Sequence, residues 1–247
     1  MISTYFEKIQ KKLQVVQTEE ADNMAKLAQQ VSTSIRQGGI IQLFGCGHSH
    51  ILGEEVFYRA GGLVPVHPIL IEPLMLHEGA VRSSQLERTE GYASEFMNGQ
   101  DIQPHDVVIV SSTSGKNPVP IDVALHAKEK GAYVASISSF CYVEKETSRH
   151  PSGRFLSEVV DLAINNHSIV GDAVLTHEQV AVPFSPSSTV IGAAILNSVM
   201  AGAIEHMVEE GYEPPIFISG NVNGADDHNQ GLIEKYHKRI PLLTKGL

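Results

Sequence analysis

An uninterrupted apolar run, Val107 to Val110, lies between Asp106 and a series of hydroxyl residues, and it constrains the fold more than any other feature. The run has no alternating polar positions, which is typical of a strand covered on both faces. Four similar runs predict further strands, at 40–44, 64–71, 133–137 and 159–164. Segments of helical length separate these runs, and the alternation indicates right-handed crossovers and a parallel sheet. We therefore expect an α/β fold of the doubly wound, layered kind.

Helical periodicity predicts the remaining elements. Helices are expected between the strands at 49–60, 85–98 and 119–130. Apolar residues at helical spacing predict one or two amphipathic helices before Gly38. A long apolar helix is expected over 187–210, capped at its start by neighbouring serines. We expect a single domain over 1–247, with a core at about 35–181, a helical segment at 1–37, and a C-terminal helix and tail at 187–247.

The charge and the cysteine content argue against several classes of protein. A formal net charge of -10 disfavours a nucleic-acid binder, which needs a basic face. The sequence has no apolar run of about 18 residues and no signal-peptide pattern at its start, so we expect a cytoplasmic protein without a membrane partner. The two cysteines, Cys46 and Cys141, are expected to be reduced thiols.

A hydroxyl-rich loop follows the third predicted strand. It contains Ser112, Thr113 and Ser114, then Gly115, and a helix is expected to begin shortly after Asn117. In open parallel sheets, ligands bind beyond the carboxyl ends of the strands. Hydroxyl groups and the free N–H groups of a first helical turn can donate to phosphate oxygens, and glycine permits a close approach of the backbone. The loop therefore predicts a phosphate site, although a serine-rich helix cap is the simpler alternative.

A second loop, Gly45-Cys-Gly-His-Ser-His50, follows the first predicted strand. Its glycines occupy two positions of a dinucleotide-binding fingerprint, but His50 stands where close helix–strand packing favours glycine. Glu72 follows the second strand and could bind a ribose, so a nucleotide remains an alternative ligand. We expect no cofactor.

These two loops, together with the stretch from Asp106 to Pro118 and the stretch 124–139, resemble the sugar isomerase (SIS) family of phosphosugar-binding domains. The resemblance covers about 35–181 and is to a bacterial group associated with phosphoheptose isomerases. It implies a three-layer sandwich with a five-stranded parallel sheet, a homodimer or homotetramer, and a site shared between subunits. It also implies phosphate binding by Ser49, Ser112, Thr113 and Ser114, which occupy matching motif positions. Asn117 stands where many members have serine or threonine, and its amide could also donate to phosphate.

If the protein is an isomerase, it needs a base near the second carbon of the sugar, a group that opens the ring, and stabilisation of an enediolate. Glu55, in the helix after the first loop, is the first candidate, and a simple ion pair with Arg59 one turn later is the alternative. His77 and Glu90 are further candidates. The stretch around Glu87 and Glu90 faintly resembles etherases that cleave a lactyl ether from an amino-sugar phosphate by elimination, and a solvated helix face is the alternative.

Four histidines, His48, His50, His67 and His77, could lie at one edge of the sheet. Some phosphoheptose isomerases bind zinc there, but Glu55 occupies the position of their helical histidine, and we expect no metal. The leading interpretation is an aldose–ketose sugar-phosphate isomerase with a carboxylate base. The alternatives are a non-catalytic sugar-phosphate sensor and an etherase-like lyase.

Overall fold

The computed structural model describes residues 1–246, and a five-stranded parallel sheet forms its centre. The strands are β1 (Ile41–Gly45), β2 (Val66–Pro68), β3 (Val107–Ser111), β4 (Tyr133–Ser138) and β5 (Leu162–Asn165). Their order across the sheet is β2-β1-β3-β4-β5, and every neighbouring pair is parallel. The predicted α/β fold with a five-stranded parallel sheet is confirmed.

Helices cover both faces of the sheet. They are α1 (Ile2–Glu19), α2 (Ala21–Arg36), α3 (Ile51–Val56), α4 (Ala80–Leu86), α5 (Tyr92–Met97), α6 (Pro118–Glu129), α7 (Cys141–Lys145), α8 (Ser188–Glu209) and α9 (Ala225–Tyr236). Residues of α2, α3 and α8 share one apolar cluster with Leu43 and Ile109 of the sheet. Residues of α5 and α6 share the other cluster with Val108 and Val110. Adjacent residues of β3 therefore point to opposite cores, which explains its continuous apolar sequence.

Three predicted elements differ from the structure. The second strand is confined to Val66–Pro68, which is shorter than the predicted 64–71, and Pro65, which has no N–H group to donate, stands immediately before it. The single helix predicted at 85–98 is two helices, α4 and α5, since Gly91 between them adopts a left-handed conformation with φ of 72°. The fifth strand begins at Leu162, and a 3-10 turn, Leu156–Glu158, occupies the residues before it.

An antiparallel hairpin, which follows β5 and precedes α8 along the chain, was not predicted from the sequence. It consists of β6 (Leu175–His177) and β7 (Val180–Phe184). The segment that leads into it carries Asp172, whose carboxylate accepts hydrogen bonds from the backbone N–H groups of Ser187 and Ser188, each at 3.1 Å. The prediction that the serines themselves cap α8 is therefore wrong: Ser187 Oγ donates to Asp172 at 2.9 Å instead of accepting from the helix.

Helix α8 is long and apolar enough to cross a membrane by length and composition alone. It contributes Ile195 and Val199 to the same apolar cluster as α2, and it contacts α1, α2 and α3. Core helices of soluble proteins meet the same criterion, so this feature is weak evidence for a membrane span.

Candidate functional site

The two predicted loops meet at the carboxyl edge of the sheet. In the register of β1 and β3, Gly45 lies opposite Ser111, so the loops that follow these strands start side by side. They enclose a small pocket of about 20 Å³ with a strongly polar lining. Its polar lining residues are His48, Ser49, Ser111, Ser112, Thr113, Asn166, Ser188 and Thr189. The structure therefore brings Ser49, Ser112 and Thr113 together.

The first loop turns sharply at Gly45. A Cβ atom at this position would lie 2.5 Å from the carbonyl carbon of Ser49, which is too close for any other residue. Residues Gly47–His50 form a 3-10 turn in which the Ser49 N–H donates to the Cys46 carbonyl at 3.0 Å. The glycine thus allows the loop to fold back and to present Ser49 at the pocket.

The hydroxyl-rich loop is held by its own polar groups and by its neighbours. The Ser112 N–H donates to the carbonyl of Ile137 in β4 at 3.1 Å. Ser112 Oγ accepts from the Gly115 N–H at 3.3 Å, and Gly115 has a φ of +57°, a conformation that favours glycine. The Gly115 carbonyl accepts from Leu156 at 2.8 Å. This loop is therefore a rigid turn in which Thr113 and Ser114 stay partly accessible.

Asn117 is the residue before the first turn of α6, and Pro118 begins the helix. Its side chain is 7% exposed and makes no capping hydrogen bond to the helix. Instead, its Oδ1 accepts from Nη1 of Arg149 at 2.8 Å. Neither Asn117 nor Ser114 lines the small pocket. Pro118 and Pro120 have no N–H group, and the Val119 N–H donates to the Glu87 carbonyl at 3.3 Å, so the start of α6 offers the positive end of its dipole at this edge of the sheet without a free N–H in its first three residues.

A loop of residues 146–156, which we call the clamp segment, covers the outer side of the hydroxyl-rich loop. Glu146 pairs with Lys116 at 2.7 Å, and the Arg149 N–H donates to the Lys116 carbonyl at 2.8 Å. His150, within the same segment, contacts Asp122 of α6, with Nε2 and Oδ1 2.9 Å apart. The clamp segment therefore fixes both the loop and the first turns of α6.

The predicted catalytic residues do not line the small pocket. Glu55 faces α8, and its carboxylate accepts from Nδ2 of Asn197 in that helix at 3.1 Å. The same carboxylate also accepts from Nη1 of Arg59, four residues further along the chain. Glu90 is exposed in the turn before α5. His77 is also exposed, and its Nε2 lies 3.8 Å from the carboxylate of Glu78.

Glu87, three residues before Glu90, lies in a different environment. It is partly buried, and its backbone carbonyl accepts the Val119 N–H in the first turn of α6 at 3.3 Å. Burial raises the pKa of the Glu87 carboxyl, and this effect exceeds the opposing effects of the Asn117 amide and of the Arg88 and Arg149 guanidinium groups. The protonated acid therefore persists to higher pH than in an exposed glutamate.

The four histidines considered as metal ligands are separated. His48 lines the small pocket, while Nδ1 of His50 contacts the Gly47 carbonyl within its own turn. His67 belongs to β2, and burial lowers its pKa. Both His67 and His77 line a different cleft of about 510 Å³ along the β2 edge of the sheet. Within residues 1–246, no three His, Cys, Asp or Glu side chains are placed to hold a metal ion.

The family of the chain follows from its sequence matches. A sequence model of the SIS domain matches residues 4–139, which is more than half of the chain. This chain belongs to the SIS domain family. The SIS domain protein is 63% identical over 244 residues to a UPF0309 protein of Halalkalibacterium halodurans, with 99% of this chain and 98% of that relative aligned.

Solved structures of other SIS proteins share the fold. A phosphoheptose isomerase from Francisella tularensis gives a TM-score of 0.54 at 13% identity, covering 83% of this chain and 96% of that one. A phosphoheptose isomerase from Neisseria gonorrhoeae gives a TM-score of 0.51 at 13% identity, covering 82% of this chain and 94% of that one. At this level of identity the likeness concerns the fold.

The sequence interpretation missed several residues of this SIS domain site. Asn166 follows the fifth strand, so the rule that sites lie beyond the carboxyl ends of strands could have identified it. Ser188 and Thr189 were interpreted only as the start of the predicted helix over 187–210. They reach the pocket in a structure where α8 packs against α3, the helix that follows the first loop, and sequence spacing carries no signal of that packing.

Proposed function

We propose that this SIS domain protein binds a sugar phosphate at the small pocket and interconverts an aldose phosphate and a ketose phosphate. The observation that carries the proposal is the convergence of Ser49 with Ser112 and Thr113 beside the N-terminus of α6. In this proposal, the phosphate is held by these three hydroxyls, by Ser114, and by backbone N–H groups of the loop. Asn117 contributes at the start of the helix.

The physical argument is local electrostatics. The protein has a formal net charge of -10, so its overall field repels a phosphate dianion. Hydroxyl donors and the positive end of a helix act at short range and can hold one phosphate group despite that field. The pocket of about 20 Å³ is the size of a small group, so in this proposal the sugar itself lies outside it.

The base of the isomerisation is proposed to be a carboxylate. Glu55 remains the first choice because α3 places it less than two turns beyond Ser49. Its carboxylate forms an ion pair with Arg59. Glu90 and His77 are the other proposed participants, and both are free to approach a bound sugar because they are exposed.

One observation favours a second function, that of a non-catalytic sensor of sugar phosphates. Glu55, Glu90 and His77 all lie outside the pocket that would hold the phosphate. A sensor needs the phosphate site and a conformational response but no base at the second carbon. An etherase-like elimination remains the alternative chemistry, with a glutamate on the α4–α5 side of the site as its base.

The setting of this activity is also a proposal. The acidic charge and the packing of the apolar helix α8 within the core support a cytoplasmic protein without a nucleic-acid or membrane partner. The resemblance to SIS proteins supports a homodimer or homotetramer.

A binding and turnover experiment tests the proposal. The wild type and a Ser112→Ala/Ser114→Ala variant are titrated calorimetrically with a panel of sugar phosphates: glucose 6-phosphate, fructose 6-phosphate and sedoheptulose 7-phosphate. The matched control is Ser84→Ala/Ser198→Ala, which removes two exposed hydroxyls that do not line the pocket. We expect the control to bind like the wild type and the loop variant to bind at least about tenfold more weakly, because two charge-assisted hydrogen bonds are lost.

Turnover separates the two functions. Proton NMR of the same mixtures detects interconversion of aldose and ketose, and Glu55→Gln should abolish it without loss of binding. Binding without interconversion across the panel contradicts the isomerase and supports the sensor. If the folded loop variant binds every sugar phosphate as tightly as the wild type, the phosphate site is wrong.

A further inference from the structure

Asn166 contributes an amide side chain to the lining of the small pocket, and the residue is 2% exposed. The other polar side chains of the lining are hydroxyls and the imidazole of His48. A hydroxyl group can donate or accept, whereas an amide NH2 group only donates. Among the described residues that line the pocket, none is a lysine, arginine, aspartate or glutamate. An anion in this pocket therefore depends on hydrogen-bond donors, and Asn166 adds two N–H donors to them.

One hydrogen bond fixes the direction of the Asn166 amide. Its Oδ1 atom accepts the backbone N–H of Ser168 at 3.0 Å. Because a backbone N–H only donates, the atom that faces it is the oxygen, and Nδ2 points the other way. Within residues 1–246, Nδ2 has no hydrogen-bond partner, and it is not among the unpartnered polar atoms that are sealed from open space. The open space that Asn166 lines is the small pocket, so its NH2 group is a free donor at the pocket wall.

The backbone around Asn166 is joined to the hydroxyl-rich loop through the end of β4. The Asn166 N–H donates to the Ser138 carbonyl at 2.9 Å. The next residue, Ser139, donates its N–H to the Thr113 carbonyl at 2.9 Å, and its hydroxyl donates to the Ser168 carbonyl. These bonds fix Asn166 relative to Thr113 on the opposite wall of the pocket. The amide is therefore already in place before a ligand binds, which reduces the entropy that binding costs.

The local turn does not account for the NH2 group. The turn uses only the Oδ1 atom of Asn166, and an aspartate carboxylate would accept the Ser168 N–H equally well. A donor on a buried side chain costs free energy when nothing accepts from it. The NH2 group therefore indicates an acceptor that occupies the pocket.

We propose that Asn166 is a ligand-binding residue of the small pocket, and that its NH2 group donates to a phosphate oxygen of the bound sugar phosphate. The inference rests on the proposed function, because it takes a sugar phosphate as the ligand of this pocket. Since the Asn166 oxygen is already occupied by Ser168, the side chain offers the ligand a donor and no acceptor. It favours an anionic oxygen and gives no support to an ammonium group.

The test removes the donor and keeps the turn. Asn166→Asp retains an acceptor for the Ser168 N–H and places a carboxylate oxygen where Nδ2 stands. The matched control is Asn165→Asp, which adds the same charge one residue away. Asn165 does not line the pocket, and its Oδ1 accepts the N–H groups of Phe140 and His167, which an aspartate can also do. Calorimetry measures the dissociation constants of the three proteins for the sugar-phosphate panel and for inorganic phosphate, and circular dichroism verifies that each variant is folded.

We expect Asn166→Asp to bind at least about thirtyfold more weakly than the wild type, because a charge-assisted donor is lost and a carboxylate faces the phosphate. Asn165→Asp should stay within about threefold of the wild type, since its added charge lies outside the pocket.

A second measurement needs only the wild type. The side-chain NH2 signals of residue 166 are assigned in ¹⁵N–¹H spectra and followed during titration with the panel member that binds most tightly. We expect a downfield proton shift that saturates with the calorimetric dissociation constant, because the NH2 group gains an anionic acceptor. If Asn166→Asp does not fold, these signals decide the question alone.

The outcomes separate this inference from the proposed function. If the wild type binds sugar phosphates, but a folded Asn166→Asp binds them equally well or the NH2 signals do not move, the role of Asn166 is overturned and the proposed function stands. An equal loss of affinity in Asn165→Asp also overturns the role, because added charge would then explain the result. If the wild type binds no member of the panel, both the proposed function and the role of Asn166 fail.

Discussion

Arg239 donates from Nη2 to the carboxylate of Asp106 at 2.7 Å, although the two residues are 133 positions apart. The Asp106 side chain is completely buried at the start of β3. Its oxygens also accept from the N–H groups of Ile40 and Gln103 and from Nε2 of Gln42, each at 2.9 Å. A single buried carboxylate therefore joins the C-terminal segment to the amino ends of β1 and β3, at the edge of the sheet opposite the candidate site.

Replacing Arg239 by methionine should destabilise the protein by about 3 kcal/mol, because a buried carboxylate loses its only cationic partner among the described residues. Urea unfolding measures this change. Lys238→Met, at an exposed neighbouring position, is the control and should change the free energy of unfolding by less than about 0.5 kcal/mol. Equal stability of the two variants would show that Asp106 does not depend on Arg239.

Removing the carboxylate of Asp172 should destabilise the protein by about 1 kcal/mol, since the first N–H groups of α8 lose their acceptor. Asp172→Ala is compared with Glu178→Ala, which removes an exposed carboxylate from the turn of the hairpin. Thermal unfolding provides the measurement. If Asp172→Ala unfolds at the same temperature as the control, the capping role is refuted.

His67 should make the protein less stable in mild acid. Burial is the largest cause that lowers the pKa of its imidazole below the usual 6.5, Arg239 adds to the shift, and Asp101 and Asp106 oppose it. In the range between the lowered pKa and 6.5, the unfolded chain binds a proton that the folded protein does not, so the free energy of unfolding falls as the pH falls.

The effect of His67 can be measured by urea unfolding at about pH 7.5 and about pH 5.5. The wild type should lose more stability between these values than His67→Gln, by about 1 kcal/mol at most. The exposed His77→Gln should behave like the wild type. An identical loss in wild type and His67→Gln would contradict the predicted pKa direction.

The two cysteines should differ in reactivity. Burial raises the pKa of the Cys46 thiol well above its usual value and the side chain is 7% exposed, whereas Cys141 is only partly buried. Because the thiolate is the reactive form, a thiol reagent such as iodoacetamide should modify Cys141 at least about tenfold faster than Cys46 in the folded protein. Mass spectrometry of tryptic peptides identifies the modified residue, and in urea both thiols should react alike. Faster labelling of Cys46 would show that the first loop opens.

Local patterns in the sequence were sufficient for the five strands of the parallel sheet and for the two loops at the site. A strand that contacts helices on both faces needs apolar residues at every position, and Val107–Ser111 shows this without ambiguity. The hydroxyl-rich loop was located because it follows that strand directly. The lengths of β2 and of the helices near Gly91 were less predictable, because proline and glycine interrupt patterns that otherwise continue.

The sequence by itself determined that this protein has a parallel sheet and a hydroxyl-rich loop beyond its third strand, since burial and helix geometry act over a few neighbouring residues. Only the tertiary structure decided which distant groups surround that loop. Arg149 meets Asn117 across 32 positions, and the backbone carbonyl of Glu87 accepts the Val119 N–H in the first turn of α6. Such contacts depend on how helices and loops pack against one another. The spacing of neighbouring residues in the sequence does not show which distant segments pack together.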